Sequence, residues 1–348
     1  MAEKLPAPAS VSVVIPTYNR AAMVRRCVAS VLSSEGVDLE CIVVDDHSPD
    51  NTGDVLRDAF GADPRFRYLR LPRNSRQSVA RNAGARAAKG DALLFLDDDN
   101  IVAPDMAANL AAALRDHPRL GLVAPVSIHA LPDGRRLVWT LGSDFHRWTS
   151  QPRDRSPRCP EADIPPSVSA AGEATLLPTT YSPNAFCVPR TVFRQVGGFD
   201  EAFGQIFEES DFGWRILASG SEAAIMTAAR TDHLGYLEPG CVPALRALGI
   251  EKADRTWFFA RNRLWFARRH FPWWGRLSVA LVFAPLSALW YGTVALRAHR
   301  PGIALAYLRG TLRGIASRLP PAPAPILLPD REDPARGAPL ASGWPKRQ

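Results

Sequence analysis

Three consecutive carboxylates, Asp97, Asp98 and Asp99, follow directly on the apolar run Ala92–Leu96. Three negative charges at one point repel one another unless a cation or hydrogen-bond donors offset them. Oxygen-rich sites of this kind suit Mg2+ or Mn2+, either of which can bridge two phosphates of a nucleotide. A solvated acidic turn is the plain alternative for three acids taken alone. A second acidic group, Glu208, Glu209 and Asp211, lies in the run FEESD, where one of them can cap a helix that starts near Ser210. A third, Asp45–Asp46, closes another apolar run and reads by itself as a turn with side-chain-to-backbone hydrogen bonds before Ser48 and Pro49.

The elements that must position these acids alternate. Val11–Pro16 and Cys41–Val44 are compact β-branched runs that predict buried strands. Between them, Ala21–Ser33 carries Met23, Cys27, Val28, Val31 and Leu32 at helical spacing. Further strands are predicted at Phe66–Leu71, Ala92–Leu96, Gly121–Val126 and Asn184–Val188. Helices are predicted at Ser78–Lys89, Asp105–Asp116, Arg190–Val196 and Ser210–Ser219. Alternation of this kind predicts a doubly wound α/β layer with a mostly parallel sheet, in which ligands bind at the carboxyl ends of strands. The segment 143–182, rich in Pro, Ser and charge, predicts an irregular acceptor-side or lid loop.

Composition narrows the classes. Of 348 residues, 46% are hydrophobic and 22% charged, which excludes wholesale disorder and a polytopic membrane protein. The net charge of +7 is concentrated: from Thr256 to Pro320 there are ten arginines and no acid. Because these arginines are interleaved with apolar runs, a membrane surface fits them and nucleic acid does not. The five scattered cysteines include no CxxC pair, so reduced thiols in a cytoplasmic setting are expected. No secretory signal is visible.

Leu277–Leu296 is twenty residues without a charge, long enough to cross a hydrocarbon core of roughly 30 Å. Pro285 interrupts it, and Arg268, Arg269 and Arg276 before it are matched by Arg297, Arg300 and Arg309 after it. The positive-inside rule therefore assigns no orientation, and a kinked re-entrant or in-plane anchor fits as well as a span. Ala304, Leu308, Leu312, Ile315 and Leu319 share one helical face, which predicts an amphipathic surface helix. The organisation expected is an extension over 1–10, a catalytic domain over 11–240, a basic helical membrane-associated region over 241–319 and a disordered Pro-rich tail over 320–348.

Four ordered blocks carry a resemblance: VSVVIPTYNR at Val11–Arg20, VVDDHSPDNT at Val43–Thr52, SVARNAGARAAKGDALLFLDDDNIVAPD at Ser78–Asp105 and VGGFDEAFGQIFEESDFGWRILASG at Val196–Gly220. Together they resemble the family-two glycosyltransferases of the GT-A fold, in particular bacterial rhamnosyl- and galactofuranosyl-type transferases of cell-surface glycan synthesis. The resemblance implies that Pro16, Thr17 and Tyr18 line the base and ribose pocket. It likewise implies that Asp46 accepts hydrogen bonds from the base, that Asp98 meets the ribose and that Arg81 faces the diphosphate. Asp97 and Asp99, at DxD spacing, and His233 are implied as metal ligands. Glu209 is implied as the base that deprotonates the acceptor, with Glu208 in support. The family commonly has Glu-Asp where this chain has Glu208-Glu209, so the base assignment is the less direct one. Asp211 and Trp214 are placed on the acceptor side.

The expected activity is thus inverting, metal-dependent transfer of a sugar from a nucleotide-diphosphate donor, UDP or dTDP favoured, to a hydroxyl of a lipid-linked or cell-surface glycan. The expected place is the cytoplasmic face of the cell membrane. Alternatives are a polyprenyl-phosphate glycosyltransferase, whose phosphate acceptor needs no base, and a non-catalytic scaffold. A nucleotidyltransferase would carry a Gly-rich basic N-terminal loop, which PTYNR does not provide.

Overall fold

The computed structural model describes residues 10–131, 134–154, 160–161, 175–234, 242, 245, 248–326 and 328. In chain order the sheet-bearing part runs β1 (Ser10–Thr17), α1 (Ala21–Leu32), β2 (Asp38–Asp45), α2 (Thr52–Phe60), β3 (Phe66–Arg70), α3 (Gln77–Ala87), β4 (Ala92–Leu96), β5 (Asn100–Val102), α4 (Met106–Asp116) and β6 (Leu120–Ala130). It continues with β7 (Arg136–Thr140), β8 (Ser143–His146), β9 (Gln151–Asp154), β10 (Leu176–Pro178), β11 (Ala185–Pro189), α5 (Arg190–Gln195), α6 (Glu208–Ala218) and β12 (Glu222–His233). The main sheet has the order β10-β12-β6-β11-β4-β1-β2-β3, with β5 added to β12 and β7 to β6. Strands β1, β2, β3 and β4 run parallel, as β12 does to β6, while β11 is antiparallel to both its neighbours.

Alternation along β1 explains the two cores. Val13 and Ile15 point to the face covered by Val24, Val28, Leu110 and Leu114 of α1 and α4. Val14 points to the face covered by Ala80, Phe193, Phe212 and Ile216 of α3, α5 and α6. Gly84 lets α3 approach closely, since a Cβ there would stand 2.3 Å from Val14 Cγ1. Cys27, Cys41 and Cys187 are buried free thiols; Cys159 and Cys241 lie outside the described residues.

Three C-terminal helices follow. Helix α7 (Ala253–His270) packs on the sheet-bearing part through Arg261 and Asn262. Helix α8 spans Trp273–Arg297 and includes a π-helical turn at Val279–Phe283. Pro285 has no N–H to donate to the preceding turn, and a π turn placed just before it accommodates that loss without breaking the helix. Helix α9 (Pro301–Ala316) lies along α7: Gly310 sits against Trp257 O, Gly314 against Leu264, and Arg268 Nη1 donates to the carbonyls of Gly314 and Ser317. Sequence number rises together in both helices, so α7 and α9 are parallel.

Two expectations are corrected. The segment 143–182 holds β8, β9 and β10, because Phe145 and Tyr181 bury against Phe266 and Phe271 of the C-terminal region and thereby order their own strands; residues 155–159 and 162–174 lie outside the described part. The tail is not free from residue 320: Ile326 N donates to Arg194 O, and Leu328 is buried in the core against α5 and α6. The remainder of the expected tail and residues 1–9 lie outside the described residues.

Candidate active site

Strands β1 and β4 are neighbours that end at one edge of the sheet, which brings Thr17 to the acids. Thr17 Oγ1 donates to Asp98 Oδ2 at 2.7 Å, and Arg20 Nη1 donates to Asp98 Oδ1 at 2.9 Å and Asp99 Oδ2 at 3.4 Å. Burial pushes the Asp98 carboxyl up, to about 6, against the pull of Arg20. Asp99 Oδ1 stands 3.3 Å from His233 Nε2, because β5 follows the acids and pairs Asn100 with His233. His233 Nδ1 in turn lies 3.4 Å from Nδ1 of His129, its register partner on β6, and Trp139 stacks on His129 with ring centroids 4.5 Å apart.

Asp97 turns the other way. Its Oδ1 accepts from Gln77 Nε2 at 2.7 Å and Arg81 Nη2 at 2.8 Å. Arg81 is fully buried; its Nη1 also donates to Glu208 Oε1 at 3.2 Å and its Nη2 to Glu209 Oε1 at 2.5 Å. One guanidinium thus meets three carboxylates from β4 and α6. Burial raises both glutamates above the ordinary carboxylate range; Arg81 opposes that rise, while the like charge of Asp97 reinforces it. Glu208 Oε2 is buried with no hydrogen-bond partner among the described residues.

The turn that presents these glutamates is strained. Ile206 and Phe207 have φ of 64° and 71°, a region costly for side chains of this shape, about 1–3 kcal/mol each. What over-determines it is Asn262 of α7, whose Nδ2 donates to the carbonyls of Phe203, Gln205 and Ile206. A cavity of about 880 Å³ takes in Tyr18, Asp46, Asp97, Asp99, Glu209 and His233 on the sheet side. Its lining also includes Pro16, Thr17, Asp98 and Glu208. Asp46 spends both oxygens on the chain, accepting from the backbone N–H groups of Ser75 at 2.6 Å and Arg76 at 2.8 Å.

Three sequence-named residues stand elsewhere. Arg81 lies beneath the acids and does not line the cavity, so it positions carboxylates where a direct contact with diphosphate was expected. Asp211 is not on the cavity lining either: its carboxylate is buried among Arg215, Arg269 and His270, which hold it well below its usual range despite burial. Trp214 packs on Phe266, His270 and Phe271, under the Arg147 guanidinium. In the other direction, His129, Trp139 and Asn262 escaped the sequence reading. The first two share strand positions with no catalytic spacing, and Asn262 sits on a distant apolar helix.

A divalent cation fits part of this arrangement. A carboxylate oxygen and an imidazole nitrogen 3.3 Å apart have about the spacing of adjacent ligands in an octahedral shell with bonds near 2.1 Å, about 3 Å. Asp97 has only Oδ2 to offer, and among the described residues no three His, Cys, Asp or Glu side chains converge as a ready metal cluster. An ion here would draw the rest of its shell from phosphate oxygens and water.

Residues 12–160 match the family model described as glycosyl transferase family 2. Among curated relatives, chondroitin synthase of Pasteurella multocida (strain Pm70) is 32% identical over 145 residues, 42% of this chain and 14% of that protein. Succinoglycan biosynthesis protein ExoO of Rhizobium meliloti (strain 1021) is 43% identical over 95 residues, 27% of each chain. The chain therefore spans between about a seventh and a quarter of the lengths of these two relatives. The fold is similar to GalNAc-T7 solved with UDP, GalNAc and Mn2+, at a TM-score of 0.56 and 18% identity over 84% of this chain and 58% of that one. It is also similar to the mannosyltransferase PcManGT from Pyrobaculum calidifontis in complex with GDP-Man and Mn2+, at 0.51 and 17% over 89% and 87%. The segment that holds the strand-end acids thus matches glycosyl transferase family 2 over residues 12–160, and the chain has the GT-A fold.

Proposed function

We propose that this chain is an inverting glycosyltransferase that moves a sugar from a nucleotide-diphosphate donor to a hydroxyl of a lipid-linked or cell-surface glycan. The observation that carries the reading is the pair Glu208–Glu209, buried against Arg81 and facing the same cavity as Asp97–Asp99. A base works best when its pKa is near the working pH, and burial moves Glu209 in that direction. In a single displacement the acceptor oxygen bonds to the anomeric carbon as the bond from that carbon to the diphosphate oxygen breaks. The hydroxyl proton passes to Glu209, and the open Glu208 Oε2 accepts a hydrogen bond from the acceptor.

Pro16, Thr17, Tyr18 and Asp46 line the nucleotide end, with Asp98 held by Thr17 beside the ribose; UDP or dTDP is the favoured donor nucleotide. Asp99 and His233, with Asp97 through its remaining oxygen, would hold Mg2+ or Mn2+. When bound, such an ion supplies positive charge to the departing diphosphate.

Attachment to a membrane, with the cytoplasmic face as the expected side, rests on the surface of α8 and α9 for the attachment alone. Leu281 is 71% exposed, Leu289 70% and Trp290 62%, and Leu308, Leu312 and Ile315 of the stripe read from sequence also face outward. The inward face of α9 is Ile303, Tyr307, Gly310 and Gly314. An apolar face shared by two packed helices fits an anchor lying in the membrane surface.

The test is Glu209→Gln. Transfer to a hydroxyl acceptor falls at least 100-fold while binding of UDP with Mn2+ persists; full transfer by this variant would remove Glu209 from the mechanism. If the acceptor atom is instead a polyprenyl phosphate, transfer to it survives the substitution.

A further inference from the structure

Several arginines of the C-terminal helices are held by partners within the fold. Arg261 donates to the carbonyls of Ala202 and Phe203, Arg263 to Ser287 and Tyr307, Arg268 to Gly314 and Ser317, and Arg269 to Asp200 and Asp211. Two that line the catalytic cavity are not. Arg255 has one ion-pair contact, a loose 3.9 Å to Glu251, and its Nε is buried with no hydrogen-bond partner. The Arg300 side chain makes no ion pair or hydrogen bond among the described residues. Nearby Asp254 is already paired with Arg76 at 3.3 Å, so it does not neutralise them.

The cavity is therefore chemically divided. Carboxylates from the strand ends and α6 form one wall, and under-used guanidinium groups from the C-terminal helices form another. Arg255 stands close enough to Glu208 to favour that carboxylate's charged form, so the cationic wall belongs to the reaction centre and is no remote surface patch. Arginine is the side chain suited to bidentate contact with phosphate. Arg300 also has a second neighbour: it follows the turn at His299, φ 55°, between the exposed Leu289, Trp290 and Leu296 of α8 and the exposed Leu305 and Leu308 of α9. A cation facing the cavity and an apolar face open to the outside meet at one residue.

We propose that Arg255 and Arg300 hold the phosphate or diphosphate head of a lipid-linked acceptor whose hydrocarbon chain lies along the apolar face of α8 and α9. The acceptor role rests on the glycosyl transfer proposed above; recognition of an anionic amphiphile does not. The glycan carried by such a lipid would then present its hydroxyl to Glu208 and Glu209, held by a head group that is not itself sugar. Glu251, opposite Arg255, becomes the group that keeps this guanidinium in place when no phosphate is bound.

Binding to the full chain separates the possibilities, with farnesyl diphosphate, farnesol and inorganic pyrophosphate as probes and saturating UDP with Mn2+ filling the donor end. Farnesyl diphosphate binds at least tenfold more tightly than either of the other two. The double variant Arg255→Gln, Arg300→Gln loses at least tenfold in that affinity, and Arg255→Lys, Arg300→Lys retains most of it. Farnesol binding as tightly would leave only an apolar surface, pyrophosphate binding as tightly would leave a site for free anions, and an unaffected double glutamine variant would move the site elsewhere; each overturns the proposal. Thermal shift by UDP, measured in the same samples, reports the donor site separately. Amphiphile binding without a nucleotide shift would sink the proposed function and keep this inference, and the converse would do the reverse.

Discussion

In the sheet of this protein the aliphatic side chains are hidden and the charges gather at one edge, whereas the C-terminal helices bury two arginines and leave a row of leucines outward. Val13, Ile15 and Leu94 are 0–1% exposed while Asp97–Asp99 face a cavity; in α7 to α9, Arg263 is 2% exposed while Leu281 and Leu289 are about 70% exposed. Both patterns obey one rule, that each surface matches the medium it meets. In the proposed function the carboxylate cluster would face water, phosphate and cations, and the outward leucine face would meet hydrocarbon. Arg261 and Arg263 can be buried because backbone carbonyls, hydroxyls and aromatic rings satisfy them, with Arg261 4.1 Å above Trp265 and Arg263 4.6 Å above Phe259.

The sharpest way to break that comparison is to remove Arg81, the one fully buried cation among the described residues on the sheet side. Arg81→Ala leaves Asp97, Glu208 and Glu209 without their shared partner, and breaking a buried ion cluster costs about 3–5 kcal/mol. Urea unfolding should register that loss, and a change under 1 kcal/mol would mean that solvent reaches the glutamates. On the other side, Leu281→Asp should weaken sedimentation with lipid vesicles by tenfold or more, since each buried leucine is worth about 1.5–3 kcal/mol. Its unfolding free energy should stay within about 0.5 kcal/mol. An equal loss of stability would show the face to be a protein core.

Smaller effects test the joints of the site. Ligation by His233 through Nε2 leaves its proton on Nδ1, 3.4 Å from His129 Nδ1, so His129→Ala should weaken Mn2+ binding, read by its EPR signal, about tenfold. His129→Gln keeps an acceptor and should recover most of the affinity. For the pH profile the sign follows from direction alone. Glu209 must be ionised to act and its pKa is raised, so kcat falls on acidification at a pH well above the ordinary carboxylate value of about 4.3. Glu208→Gln removes a like charge and should move that fall to lower pH.

How far the sequence disclosed this follows from the same contrast. Most strands and helices expected of the α/β layer were legible because their apolar period is enforced by burial on both faces of the sheet, as in Ala92–Leu96, but β2 starts earlier and β6 runs further than expected, and α2 and β12 were not read. Asp99 and His233 were legible through the resemblance, and they come together across β5 and β12. Arg81 was named but misplaced: local sequence does not show that α6 would bring two glutamates onto it. Asp211 was misplaced for a similar reason, since its partners Arg269 and His270 lie nearly sixty residues away. Asn262 was illegible because the strain it restrains, at Ile206 and Phe207, exists only in the folded chain. Of the stripe read on α9, Leu308, Leu312 and Ile315 face outward, while Ala304 and Leu319 pack inward; only packing shows this, and that Gly310 and Gly314 face α7.

The central claim is a donor site for a nucleotide diphosphate built around Asp99, and thermal shift tests it most directly. UDP, dTDP and GDP are each titrated against the full chain with Mn2+ and again with EDTA, because a ligand bound only by the native state raises its apparent stability. The account predicts a rise of several degrees for UDP or dTDP with Mn2+, lost with EDTA and lost in Asp99→Asn. No shift from any of the three nucleotides, or an undiminished shift in Asp99→Asn with EDTA, would contradict it.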